Sequence, residues 1–155
     1  MTSSPEKLHK LEDLMPRIRQ TLAEGRSIAI GPKGTSMMPL IRQGIDFVEL
    51  SPLPERLKKY DLPLYQRNGG QYVLHRIVKA GDTYTCIGDN QFQLEPGVRH
   101  EQLIAVVTAI YRGEKRVPVT AFSYKVYCRF WHWSRPLRHL WLRGKGFIKH
   151  RIFHK

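Results

Sequence analysis

Ser36 lies in the run Gly34-Thr35-Ser36-Met37-Met38-Pro39, His75 in Tyr72-Val73-Leu74-His75-Arg76-Ile77-Val78, and Asp89 in the turn Gly88-Asp89-Asn90. A serine hydroxyl becomes a nucleophile when a base within hydrogen-bond reach takes its proton, and an imidazole base needs a third group to hold its tautomer. The three segments offer one residue for each role. Each also has an ordinary structural use: a turn serine bonding its own backbone, a core histidine on a backbone carbonyl, a turn aspartate. Their joint presence in one short chain favours the chemical use. Other chemistries fit less well. Met38 stands where a nucleophile elbow needs its second glycine, and residues 31–36 lack the Gly-Lys-Ser/Thr of a phosphate loop. His150 and His154 share a helical spacing without an acidic or thiolate companion, so neither a metal nor any other cofactor is expected.

The elements that must carry these residues can be read from periodicity. Leu8, Leu11, Met15, Ile18 and Leu22 recur at steps of three and four, the stripe of an N-terminal amphipathic helix within residues 1–25. Ser3 or Ser4 suits its cap, Pro5 its first turn and Gly25 its exit. A single helix is too little for a helix-turn-helix. Residues 26–120 then change to short β-type runs at 28–30, 47–50, 62–66, 72–79, 83–87 and 103–111, broken by Gly, Pro and Asp. The pattern predicts a mainly β, α+β fold: a compact, partly closed antiparallel β-domain with helical ends. Asn68-Gly69-Gly70 reads as the hairpin turn between the third and fourth runs. His75 falls mid-strand in the second arm, on the face of Val73 and Ile77.

In order and spacing, the three segments resemble the superfamily that holds type I signal peptidases and LexA-type self-cleaving repressors. There a G-x-S-M-x-P box carries the nucleophile, and the base follows one or two strands later. His75 in its His-Arg-Ile context resembles the histidine branch, and small soluble bacterial members in particular. The likeness covers residues 28–112. It implies a serine endopeptidase with Ser36 as nucleophile and His75 as base, Gly34, Thr35, Met37 and Pro39 forming the substrate pocket and its turn. The third member stays open between Asp89, which matches the aspartate of the Gly-Asp-Asn box, and Glu95, six residues on, where the histidine branch has a second acid. Gly34 departs from the pattern at a position where many members carry an oxyanion-binding hydroxyl, leaving the Ser36 amide and an unidentified second donor.

The charge is concentrated at one end. Of a formal net charge of +13, residues 1–114 carry 15 basic against 13 acidic groups, while 11 basic residues and no acid follow Glu114. All three tryptophans fall within the same basic, helical C-terminal tail, residues 121–155. Phe122, Val126, Phe130 and Trp133 recur at helical spacing, Pro136 interrupts, and Leu137, Leu140 and Trp141 resume. Aromatic residues among arginines without acids are the composition of an interfacial helix on anionic lipid. Arg129, Trp131, Trp133, Arg135, Arg138, Trp141 and Arg143 are its candidate membrane-surface residues. Docking on the chain's own domain and nucleic-acid binding are the competing readings.

Cys86 and Cys128 show no paired spacing, so a reducing compartment is expected. The mixed-charge start lacks a secretory core, and no apolar run approaches the roughly 20 residues that span a bilayer. True signal peptidases are membrane-anchored; here a cytoplasmic protein is expected, peripheral on a membrane through its tail. The leading function is a serine endopeptidase acting on a peptide or precursor protein. The alternatives are a non-catalytic binding module on the same fold and a basic nucleic-acid-binding protein.

Overall fold

A computed structural model describes residues 10–152, with side chains to residue 144. The order of elements is α1 (Leu11–Ala23), β1 (Ile28–Ile30), β2 (Asp46–Ser51), β3 (Pro63–Gln66), β4 (Tyr72–Leu74), β5 (Arg76–Ala80), β6 (Tyr84–Ile87), β7 (Glu95–Val98), a 3₁₀ turn (His100–Gln102), β8 (Leu103–Arg112), β9 (Lys115–Pro118), α2 (Phe122–Trp133) and α3 (Arg135–Ile152). The chain is a mixed α/β molecule in which every strand pairing is antiparallel.

The strands form two sheets. The larger runs β1-β2-β8-β3-β4, with β9 continuing along the β3 edge of β8; the smaller is β5-β6-β7. β8 is the longest strand because it is the spine: β2 covers one edge, and β3 and β9 share the other. Its side chains feed two cores, and register shifts opposite Leu64/Tyr65 and Glu49/Leu50 break strict alternation along it, so that Leu103 and Ala105 part to different cores. Ala105 and Val107 join Met15 and Ile18 of α1, Leu64, and Tyr124 and Cys128 of α2. Leu103 and Val106 join Tyr65, Ile77, Cys86 and Val98 on the side of the smaller sheet. Adjacent residues of β3 thus face opposite cores, Leu64 the first and Tyr65 the second.

The N-terminal helix begins after an extended Lys10. The caps expected at Ser3 or Ser4, together with Pro5 and Leu8, lie outside the described residues. Gly25 ends the helix as expected, at φ +71°, with Gly25 N–H bonded to Leu22 O and Arg26 N–H to Thr21 O, the paired bonds of a Schellman cap. The hairpin over residues 68–70 forms as read, with Arg67 N–H on Gln71 O at 2.8 Å.

Two strands were not anticipated. β9 is an exposed edge of basic residues, and β7 is hidden by Pro96-Gly97, a pair that reads as a turn; Gly97 adopts φ +76°. The run expected over 72–79 is two strands that belong to different sheets, because β4 pairs with β3 and β5 with β6. His75 is therefore not mid-strand but at the crossing between them.

Candidate active site

Where the chain changes sheets, alternation lapses and Leu74, His75, Arg76 and Ile77 are all buried. His75 is 2% exposed and Arg76 1%. The crossing sends these two neighbours to different partners.

His75 turns to the second core. Its Nδ1 lies 3.1 Å from Glu95 Oε1 and 3.4 Å from the Tyr65 hydroxyl. Glu95 is itself held: Tyr65 donates to Oε2 at 3.0 Å, Arg67 Nε donates to Oε2 at 3.0 Å, and Arg67 Nη2 to Oε1. Burial works against the Glu95 charge, but the bonds from Arg67 and Tyr65 outweigh it and keep the carboxyl below its ordinary range. Burial pushes the His75 pKa down, and Glu95 restores only part of the loss. At neutral pH the ring is then neutral. A carboxylate only accepts, so the network assigns the proton to Nδ1 and the lone pair to Nε2. Nε2 has no hydrogen bond among the described residues. The ring nonetheless contributes to the wall of a cleft.

Ser36 and His75 line one cleft of about 440 Å³, with Gly34, Thr35, Met37 and Gln91 also in its wall. Met37 anchors the serine loop by burying its side chain in the first core beside Leu40 and Ile41. The backbone is pinned from the other side by the Gly88-Asp89-Asn90 turn: Asn90 N–H donates to Ser36 O at 2.8 Å, and Asn90 Nδ2 to Thr35 O at 3.2 Å. Gly88 permits that approach, since a Cβ there would sit 2.7 Å from Ser36 O. The Ser36 hydroxyl makes no hydrogen bond among the described residues. The direct Ser36–His75 bond expected from the sequence is thus not made in this state. Among the described residues no hydrogen bond fixes the Ser36 side-chain rotamer. The Ser36 N–H is likewise unbonded among the described residues, whereas the Gly34 N–H is taken by Gln43 Oε1 at 2.9 Å. Pro39, expected in the pocket wall, is exposed and outside the lining, because the chain turns outward after Met37.

Asp89 does not touch His75. Its carboxylate accepts from Arg76 Nε at 2.8 Å, Arg76 Nη2 at 2.9 Å and the Tyr127 hydroxyl at 2.9 Å. Arg76 Nη1 adds bonds to Tyr60 O, Tyr124 Oη and Cys128 Sγ at 3.1, 3.1 and 2.9 Å. Of the two candidate acids, only Glu95 reaches the imidazole. Tyr65, Arg67 and Arg76 were not anticipated. Their only signal was position: Arg76 beside the histidine, and Tyr65 and Arg67 on the arm of the hairpin opposite it.

The tail divides its residues between two faces. Trp131, expected at a lipid surface, instead donates from Nε1 to Asp89 O at 2.7 Å, and Arg138 stacks over its ring at 3.7 Å. Arg135 is half-buried beside them. Helical spacing puts these three on the face of Tyr124 and Cys128, which packs on the domain. Arg129, Trp133, Trp141 and Arg143 remain exposed. Among the described residues no group of His, Cys, Asp and Glu could hold a metal, and no helix is long and apolar enough to cross a membrane. Comparison of the chain with protein-family models and with curated proteins gives no match.

Proposed function

We propose that this chain is a serine endopeptidase of the signal-peptidase and LexA-like kind, with Ser36 as nucleophile, His75 as base and Glu95 as the group that orients it. The observation that carries the reading is the buried His75 ring, held at Nδ1 by an anchored carboxylate and placed in the wall of the same cleft that Ser36 lines. In the reaction, substrate closes the gap and fixes the serine rotamer. Ser36 Oγ attacks the scissile carbonyl as His75 Nε2 takes its proton. The tetrahedral oxyanion is met by the Ser36 N–H, and the imidazolium is stabilised across Nδ1 by Glu95. His75 then returns the proton to the leaving amine, and water repeats the sequence on the acyl-enzyme. Asp89 acts one step removed, as a brace: through Arg76 and its own turn it ties the histidine crossing to the serine loop.

A fluorophosphonate probe followed by peptide mapping, with a mixed peptide library as substrate, tests this. Label on Ser36, and library cleavage lost in both Ser36→Ala and His75→Gln while each still unfolds cooperatively at neutral pH, is the expected result. No label and no cleavage by the wild type, or identical behaviour of wild type and Ser36→Ala, overturns it in favour of a binding module.

A further inference from the structure

The tail has two apolar faces, and the domain covers one. Tyr124 and Cys128 are buried against the core, with Tyr127 and Trp131 half-buried beside them. Phe122, Val126, Phe130, Trp133, Leu137 and Leu140 are instead exposed, at 82, 47, 60, 72, 62 and 70%. The helical ladder carries through the junction of α2 and α3, with Ser134 N–H on Phe130 O at 2.9 Å and Arg138 N–H on Ser134 O at 3.0 Å. At 3.6 residues per turn these six residues fall within roughly 80° of arc. They form one ridge along both helices, pointing away from the domain. Isolated exposed apolar residues are ordinary, but a contiguous ridge of this kind marks a surface that something covers.

Charge says what covers it. Lys125, Arg129 and Arg143 are exposed along the ridge's flank, and no acid follows Glu114 in the sequence. We infer that the α2–α3 ridge docks in the interface of an anionic lipid bilayer, lying in its plane with the six apolar side chains at the acyl boundary and the flanking cations among the phosphates. The helices do not span, since neither is long and apolar enough to cross. Phosphate contact by a nucleic acid gives no use for Val126, Leu137 and Leu140, and Arg138, the arginine most ready to stack, is already committed to Trp131. A second copy would bring two acid-free basic ridges together, which like-charge repulsion opposes. This inference rests on the tail alone and is separate from the peptidase reading.

Flotation of the full chain with phosphatidylglycerol-containing vesicles and with neutral phosphatidylcholine vesicles tests it. The chain is expected to float with the anionic vesicles only, and Phe130→Ser combined with Trp133→Ser to weaken binding by at least about tenfold through lost apolar burial. In the wild type, lipids brominated on their acyl chains should quench the tryptophan emission, a readout that does not depend on the variant folding. Failure to float with anionic vesicles, absence of quenching, or a well-folded double variant that binds vesicles like the wild type overturns the inference. So does self-association or RNA binding through the ridge in a chain that ignores vesicles.

Discussion

Arg76 and Asp89 face each other as a doubly bonded pair, Nε to Oδ1 at 2.8 Å and Nη2 to Oδ2 at 2.9 Å, with both side chains at most 1% exposed. Arg76 follows His75, and Asp89 follows the glycine that touches Ser36, so this ion pair couples the two halves of the proposed site through the backbone. It also receives the tail, because Tyr127 and Trp131 bond the side chain and carbonyl of Asp89.

Removing one partner strands the other charge in the interior. Asp89→Ala is expected to cost about 3–5 kcal/mol of folding stability, read as a shifted urea midpoint. Arg76→Met added to Asp89→Leu should recover most of that loss, since no charge is then left uncompensated. A single Asp89→Ala variant that melts like the wild type but fails to cleave would make Asp89 part of the chemistry and contradict the brace assigned to it.

Glu95→Gln addresses the imidazole directly. An amide no longer imposes the Nδ1–H tautomer or stabilises the imidazolium, so kcat/KM should fall by about 10²–10⁴. Because the Glu95 charge raises the His75 pKa against the effect of burial, its removal lowers that pKa further. The acid limb of the rate profile in the variant should therefore move to lower pH. A limb that stays put, or moves up, would show that Glu95 does not act on His75.

The hairpin, the end of α1 and the antiparallel character were legible because each rests on local rules: turn glycines, a helical stripe, alternation. The split at His75 was not. Whether Tyr72 to Lys79 continues one sheet or passes between two depends on its partners: the run pairs with β3 before it and β6 after it, two local hairpins, and only the long-range pairing of β3 with β8 puts them in different sheets. The same holds for the acids. Asp89 and Glu95 each lie at a turn or strand end in sequence, and only the burial of Arg76 decides that it captures Asp89 and leaves Glu95 for the histidine. The tail's composition showed an aromatic and basic segment, but not that its two faces divide between the domain and solvent, which required knowing that Asp89 and Arg76 present a partner for Tyr127 and Trp131.

The buried imidazole also makes the fold sensitive to acid. The folded pKa of His75 lies below its unfolded value of ~6.5, so as pH falls the unfolded chain takes up a proton that the folded chain refuses. Stability is expected to be fully present above that value and to decline as pH drops from about 7 to about 5. His132, whose pKa is also lowered by burial, adds to the same trend. His75→Gln should flatten the decline of Tm over this interval without removing it, and a variant whose Tm falls as steeply as that of the wild type would refute the assignment.

Gly88→Ala probes the contact between the Gly-Asp-Asn turn and the serine loop. A methyl group there would meet Ser36 O at 2.7 Å and Gln91 Oε1 at 2.9 Å. Gln91 can swing away, but the Ser36 carbonyl is backbone held by Asn90 N–H at 2.8 Å, so the loop itself must shift. Overpacking of this kind costs about 1–3 kcal/mol. The larger effect is expected on kcat, because the displaced loop carries the proposed nucleophile while most of the cleft wall is unmoved. Gly69→Ala is the control: a Cβ at Gly69 meets nothing within 4 Å, so that variant should match the wild type in both melting and turnover. Equal turnover in Gly88→Ala and Gly69→Ala would mean that the turn does not position Ser36, whatever their difference in stability.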